Sequence, residues 1–162
     1  MENKRILFIG EIVGKAGVYC VKNRLQTIKK EKGIDFTIAN GEGATGGFGI
    51  GKNHSIYLHK LGIDVITAGE CVFYKKDMVT HIPKASYMLR AANYPKGTPG
   101  RGWWIYEKES ITIGVVNLLG QSGFNRTHLS NPFILAPEIL SKIKQQTNIT
   151  IVDFHAATTA EK

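Results

Sequence analysis

The feature that most constrains this chain is a pattern that occurs three times in its first 75 residues: an apolar run, a glycine and then an acidic side chain. The three runs end in Gly10-Glu11, Gly41-Glu42 and Gly69-Glu70. Apolar residues at helical spacing separate the runs, and strands that alternate with helices predict a largely parallel sheet. The carboxyl ends of parallel strands meet at one edge of the sheet, where α/β proteins place their sites. The sequence therefore predicts an α/β fold with three carboxylates at one sheet edge.

More strands and a helix are predicted in the second half of the chain. Lys108-Glu109-Ser110 joins two β-rich runs and predicts a hairpin. The last helix is expected to open with Pro137-Glu138, since proline suits a first turn, and Gly33 is expected to end the first helix. Predicted strands cover 4–10, 34–39, 63–68, 87–90, 103–107, 111–119 and 148–155, predicted helices cover 18–31, 52–61 and 136–146, and 121–132 is a predicted loop.

Four side chains fall at or just after the carboxyl ends of predicted strands: Glu11, Glu42, Glu70 and His155. Carboxylates and imidazoles that converge from several strands are suitable ligands for divalent metals. Two such ions can orient water and neutralise the charge of a phosphate in transfer. These residues therefore predict a metal site for a phosphate ester. The alternative is that polar residues stand at strand ends only because loops are solvated.

Two other motifs could indicate nucleotide or nucleophile chemistry. Residues 10–17 join a strand to a helix, but three residues instead of four separate Gly10 from Gly14, and Ala16 replaces the hydroxyl residue that holds magnesium in a phosphate loop. This spacing argues against nucleoside triphosphate binding. Cys71 is a candidate nucleophile, because a thiolate near a histidine attacks phosphates or acyl groups. A small, partly buried structural thiol is the alternative.

Composition narrows the setting in which the protein works. The two cysteines, Cys20 and Cys71, are too few for a disulfide framework and match no zinc motif. No apolar run approaches the roughly 20 residues of a membrane span, and the first apolar stretch is too short for a signal peptide, so we expect a cytoplasmic protein without membrane contact. The excess of 21 Lys and Arg over 13 Asp and Glu favours phosphate-bearing partners, such as a phosphodiester, a nucleotide or RNA, although it fits a plain basic surface equally well.

Five segments, in the same order along the chain, resemble the YmdB-like branch of the calcineurin-type metallophosphoesterases. They are 6–14, 35–42, 64–69, 90–100 and 152–156. The resemblance implies a calcineurin-like α/β/β/α sandwich with two iron or manganese ions in its site. It also implies activity on cyclic nucleotides or other phosphodiesters, assembly into homo-oligomers, and contact with RNA or RNA-processing proteins.

The resemblance assigns roles to individual residues and also reveals substitutions. It implies that Glu42 bridges the metals and that His155 is a ligand. Glu11 stands where the family has an aspartate ligand, and Gly43 stands where it has an asparagine ligand. Glu70-Cys71 replaces an asparagine ligand followed by a proton-donating histidine, so Cys71 occupies the proton-donor position. The predicted metal ligands of this chain are therefore Glu11, Glu42, Glu70 and His155.

Two further family histidines belong to a Gly-Thr-His-Thr-His segment that would follow Lys162. The resemblance thus implies a single domain over 1–162 that lacks the C-terminal part of the fold. The leading hypothesis is a metal-dependent phosphodiesterase whose activity the substitutions weaken or abolish. One alternative is a non-catalytic pseudo-enzyme that binds RNA, a nucleotide or a protein partner. Another is a carboxylate-rich site for a single metal ion.

Overall fold

The strands of the protein form two sheets in a computed structural model that describes residues 3–109, 111–123 and 128–162. The first sheet is parallel throughout and contains, in spatial order, β1 (Ile6–Glu11), β2 (Phe36–Asn40), β3 (Val65–Thr67) and β4 (Met88–Leu89). The second contains β5 (Trp103–Lys108), antiparallel to β6 (Ile111–Leu119), which is parallel to β7 (Thr150–His155). The helices are α1 (Gly14–Lys32), α2 (Lys52–Lys60), α3 (Lys76–His81) and α4 (Pro132–Lys144), with short 3-10 turns at Ile82–Lys84 and Thr159–Glu161.

The alternation of side chains along β2 and β6 shows how the layers are stacked. Phe36 and Ile38 of β2 pack against Ile113 of β6, between the two sheets. Ala39 of β2 faces the other way, into the core beneath α1 and α2. On β6, Leu118 packs under α4 on the outer face of the second sheet. The order of layers is helix, sheet, sheet, helix, which is the predicted α/β/β/α sandwich.

The register of the strands brings their carboxyl ends to one edge, as predicted. Asn40 pairs with Thr67 across β2 and β3, and Leu119 pairs with His155 across β6 and β7. The two sheets are joined at this edge by Asn117, whose side-chain amide donates to the carbonyls of Ala68 at 2.5 Å and Leu89 at 3.1 Å. The polar residues at the carboxyl ends of the strands in both sheets therefore lie at the same edge.

Two predicted boundaries are confirmed. Gly33 follows α1 with φ 60°, and its N–H donates to the carbonyl of Lys30, a conformation that glycine adopts without steric cost. The chain between β5 and β6 is the predicted hairpin, since Lys108 pairs with Ile111 in antiparallel register. Ser110 of the predicted turn lies outside the described residues.

The predicted start of the last helix was wrong. The helix begins at Pro132 and not at Ala136, because the side chain of Asn131 caps it by accepting the N–H of Phe133 at 2.9 Å. Pro137 therefore lies inside α4, where it leaves the carbonyl of Phe133 without its helical partner. Residues 124–127 of the predicted loop over 121–132 lie outside the described residues.

Other boundaries differ in smaller ways. Helix α1 starts at Gly14, four residues before the predicted start, and the short helix α3 was not predicted. Within the described ranges, no helix is both long enough and apolar enough to cross a bilayer. Cys20 is exposed and Cys71 is buried, and both are free thiols.

Candidate metal centre

Glu42 is a buried carboxylate that the backbone holds in place. It follows β2 and is 4% exposed. Its Oε2 accepts the N–H of Gly69 at 2.5 Å, its Oε1 accepts the N–H of Cys71, and its own N–H donates to Oδ1 of Asn40 at 2.9 Å. Burial raises the pKa of Glu42 to about 7, although the two backbone N–H groups act in the opposite direction. The orientation of Glu42 is thus fixed, and a nearby cation would stabilise the ionised form of its carboxylate.

Gly69 allows the groups of this site to approach one another. A Cβ atom at Gly69 would lie 2.9 Å from Cδ of Glu42 and 3.2 Å from Cδ2 of His155. These contacts are shorter than side chains normally tolerate. The absence of a side chain at Gly69 therefore allows Glu42 and His155 to approach each other from the ends of two strands.

Glu70 and His155 form an ion pair across the two sheets. His155 Nε2 lies 3.1 Å from Glu70 Oε2. This contact holds the pKa of Glu70 below its usual value. The same hydrogen bond raises the pKa of His155, and the charges of Glu70, Glu42 and Glu11 add to that effect. Two of the predicted metal ligands therefore partner each other, and a bound cation would replace the proton that His155 shares with Glu70.

Cys71 lies inside the same cluster. Its thiol contacts Oε1 of Glu70 at 3.8 Å. Burial, together with the negative charges of Glu42 and Glu70, raises the pKa of Cys71 to about 12. The thiol thus stays protonated at neutral pH, which disfavours its use as a nucleophile. Ligand atoms of Glu42, Glu70 and Cys71 all lie within 4.8 Å of one another, so these three residues are close enough to share a metal ion.

Glu11 stands at the rim of the cluster. Its side chain is exposed, and it does not belong to the group that Glu42, Glu70 and Cys71 form. Its carboxylate lies against the backbone of Gly43, where an added Cβ atom would be 2.7 Å from Oε1 of Glu11. The structure therefore gathers Glu42, Glu70, Cys71 and His155 closely and places Glu11 next to them.

Asp153 supports the site and was missed by the sequence reasoning. Its Oδ2 accepts the hydroxyl of Thr67 at 2.5 Å and the side-chain amide of Asn40 at 3.1 Å, so it ties β7 to the ends of β2 and β3. The signal for it is the spacing Asp153-x-His155 on one strand, which places both side chains on the same face. Tyr94 adds a further support, since its hydroxyl donates to the carbonyl of Glu70 at 3.2 Å.

Comparison with known proteins agrees with this architecture. The family model described as YmdB-like protein matches residues 7–162. The chain belongs to the YmdB-like family. The predicted family and its calcineurin-like sandwich are both confirmed.

The YmdB-like chain is similar to characterised and solved proteins along nearly its whole length. It is 35% identical over 158 residues, covering 98% of itself and 59% of the relative, to the "2',3'-cyclic-nucleotide 2'-phosphodiesterase" of Bacillus subtilis (strain 168). A crystal structure of a novel phosphatase from Mycoplasma pneumoniae matches with a TM-score of 0.89 at 31% identity, over 99% of this chain and 58% of that chain. A hypothetical protein from Thermus thermophilus matches with a TM-score of 0.82 at 29% identity, over 98% of this chain and 60% of that chain. The chain thus spans somewhat under two thirds of the length of these relatives.

The residues present fit the divalent metal that a metallophosphoesterase fold implies. Carboxylate oxygens and an imidazole nitrogen suit manganese and iron. A buried carboxylate with a raised pKa, such as Glu42, is stabilised in its charged form by an adjacent cation. Glu42, Glu70 and His155 would hold the metal, with Glu11 at the rim.

Proposed function

We propose that this protein is a metal-dependent phosphodiesterase that acts on a cyclic nucleotide or a related phosphodiester. The observation that carries the proposal is the buried Glu42 carboxylate, fixed by the N–H groups of Gly69 and Cys71 within reach of Glu70. The name of the Bacillus subtilis relative, a 2',3'-cyclic-nucleotide 2'-phosphodiesterase, supports a cyclic nucleotide as substrate.

The protein's own residues would bind and orient the reacting groups. When bound, divalent metal neutralises phosphate charge and lowers the pKa of water. Glu42 and His155 would hold the metal from two sheets, and the missing side chain at Gly69 lets them approach each other. The loop 41–49 contains five glycines, so its backbone can approach a phosphate without side chains in between. The net charge of +8 favours the approach of an anionic substrate.

Cys71 is the proposed proton donor to the leaving oxygen. It stands at the position where the family has a histidine, and its raised pKa of about 12 keeps the proton on sulfur at neutral pH. A thiol with so high a pKa gives up its proton less readily than an imidazolium. A well-matched general acid contributes roughly 10²- to 10⁴-fold, so we expect slow turnover, limited by the protonation of the leaving group.

The test combines metal analysis with hydrolysis. Metal per chain is measured by elemental analysis before and after incubation with Mn²⁺ or Fe²⁺, while hydrolysis of 2',3'-cyclic AMP is followed with and without chelator. The proposal expects bound metal and chelator-sensitive turnover in the wild type and neither in Glu42→Gln. The matched control is Glu31→Gln, which changes an exposed carboxylate on α1 and should behave as the wild type. Turnover that survives both the chelator and Glu42→Gln would contradict the proposal.

One observation favours a non-catalytic binding module as the second candidate. Glu70 and His155 already form an ion pair at 3.1 Å, a contact that needs no metal. A pseudo-enzyme of this kind would bind RNA or a nucleotide through basic charge. Its binding would persist in chelator and weaken as salt rises, whereas the phosphodiesterase needs metal. Measuring the affinity for a short RNA under both conditions separates the two candidates.

A further inference from the structure

We infer that Gly43 is a positioning residue of the metal centre: the missing side chain at Gly43 creates the space that the Glu11 carboxylate occupies next to the backbone that carries Glu42. The inference rests on the proposed function, because it gives Glu11 its place next to a metal ligand. Gly43 has no functional group and would act only through the space that its missing side chain leaves.

The space around Gly43 is occupied by Glu11. A Cβ atom added at Gly43 would lie 2.7 Å from Oε1 of Glu11, 3.2 Å from Cγ2 of Val13 and 3.3 Å from the carbonyl oxygen of Ile12. Only the contact with Glu11 is below 3.0 Å, a distance that real Cβ atoms essentially never show. Any side chain at position 43 must therefore displace the Glu11 carboxylate.

Backbone conformation does not explain the glycine at position 43. Gly46 and Gly47 in the same loop have φ values of 73° and 86°, a region that favours glycine. Gly43 is not among the glycines with positive φ, so alanine can adopt its backbone conformation. The space that the Glu11 carboxylate requires therefore explains the glycine at position 43.

The backbone fixes Glu11 relative to Glu42. The N–H of Ile12 donates to the carbonyl of Asn40 at 2.8 Å, and the N–H of Gly14 donates to the carbonyl of Gly43 at 2.8 Å. These bonds run on either side of the Glu11–Gly43 contact, so the two segments cannot slide past each other.

Glu11 and Gly43 together bring one anionic oxygen donor to the rim of the site. Manganese and iron bind anionic carboxylate oxygens well. Loss of the side chain at position 11 would remove this donor, and a side chain at position 43 would displace it. Either change removes the same contribution, so the two changes should not add.

The test is a double-mutant cycle on Mn²⁺ affinity. Calorimetry measures the Mn²⁺ dissociation constant of the wild type, Gly43→Ala, Glu11→Ala and the double variant, after circular dichroism shows that each is folded. We expect each single substitution to weaken binding about tenfold, as loss of a supporting group at a metal site does. In the Glu11→Ala background, Gly43→Ala should change the dissociation constant less than about threefold, since interacting positions are non-additive.

The matched control is Gly10→Ala. Gly10 precedes Glu11, has no atom within 4 Å of an added Cβ and lacks a positive φ. Its substitution should leave Mn²⁺ affinity unchanged. A merely structural role for Gly43 would lower the melting temperature of Gly43→Ala but would not change the Mn²⁺ affinity of the folded protein.

The outcomes separate this inference from the proposed function. If the wild type binds Mn²⁺ and Gly43→Ala binds it equally well, or if the two substitutions add, the inference is overturned while the phosphodiesterase proposal stands. If the wild type binds no Mn²⁺, both are overturned. If Gly43→Ala does not fold, Glu11→Ala/Gly43→Ala decides: recovery of folding supports the inference, and continued failure assigns the crowding to Val13 and Ile12 and overturns it.

Discussion

Glu42 and Glu70 follow neighbouring strands and enter the same cluster, yet they are held by different kinds of partner. The carboxylate of Glu42 accepts hydrogen bonds from the backbone N–H groups of Gly69 and Cys71, whereas the carboxylate of Glu70 pairs with the side chain of His155. Backbone donors cannot rotate away, but side chains can. Glu42 is therefore already held in place before metal binds. Glu70 and His155 would have to break their ion pair before they could bind a metal.

The largest expected effect comes from removing the carboxylate of Glu42. Glu42→Ala should abolish Mn²⁺ binding and turnover. It also leaves the N–H groups of Gly69 and Cys71 without their acceptor, at a cost of roughly 1–3 kcal/mol each, partly offset because a carboxylate that burial disfavours is gone. We expect a net loss of about 2 kcal/mol in the free energy of unfolding, measured in urea. Unchanged hydrolysis would show that Glu42 is not the central ligand.

The second effect is the pH dependence of metal binding. Metal needs Glu42 ionised and His155 neutral, and the pKa of Glu42 is about 7 while that of His155 is raised. Both groups hold their protons to higher pH than usual, so both make binding weaker as pH falls. Below pH 7 we expect Mn²⁺ affinity to drop about tenfold per pH unit from Glu42 alone. Calorimetry at pH 6, 7 and 8 measures this, and a constant affinity across that range would contradict the comparison.

The third effect separates the backbone of Cys71 from its side chain. Cys71→Ala removes the proposed proton donor but keeps the N–H that binds Glu42. We expect kcat to fall about tenfold, below the usual benefit of a general acid because the thiol is so weak an acid. Mn²⁺ affinity should change little. If affinity falls as far as kcat, the thiol is a metal ligand and not a proton donor.

The smallest effect concerns the link between the sheets. Thr67 and Asn40 both donate to Oδ2 of Asp153, so Asp153→Asn keeps their acceptor oxygen but removes its negative charge. We expect a loss of about 1 kcal/mol in the free energy of unfolding and an increase of a few-fold in the Mn²⁺ dissociation constant. Thermal and chemical unfolding measure the first and calorimetry the second. A loss of stability without any change in affinity would show that Asp153 does not help to place His155.

The parts of the site that the sequence predicted are those that depend on local pattern. Glu42, Glu70 and His155 each end a strand, and strand ends in a parallel sheet meet whatever the remaining packing is. Glu11 shows the same pattern but follows a register irregularity between Ile9 and Glu11. That irregularity belongs to the pairing of β1 with β2, which no periodicity along one strand reveals. For that reason the position of Glu11 at the rim of the site could not be predicted from the sequence.

The features that escaped prediction depend on distant contacts or on competing signals. Asp153 acts on Asn40, 113 residues away in sequence. The start of α4 was wrong because Pro137 resembles a helix opening, while the actual opening is Asn131-Pro132. Helix α3 has only six residues, too few to establish a helical period.

The bond network around Asn117 and Asp153 has a consequence for the order of folding. Asn117 bonds carbonyls 49 and 28 residues away, and Asp153 bonds side chains 113 and 86 residues away. Contacts of such sequence separation close large loops and form late. We expect the metal centre to be completed after the rate-limiting step, so Mn²⁺ should slow the unfolding limb of a chevron plot and leave the refolding limb unchanged.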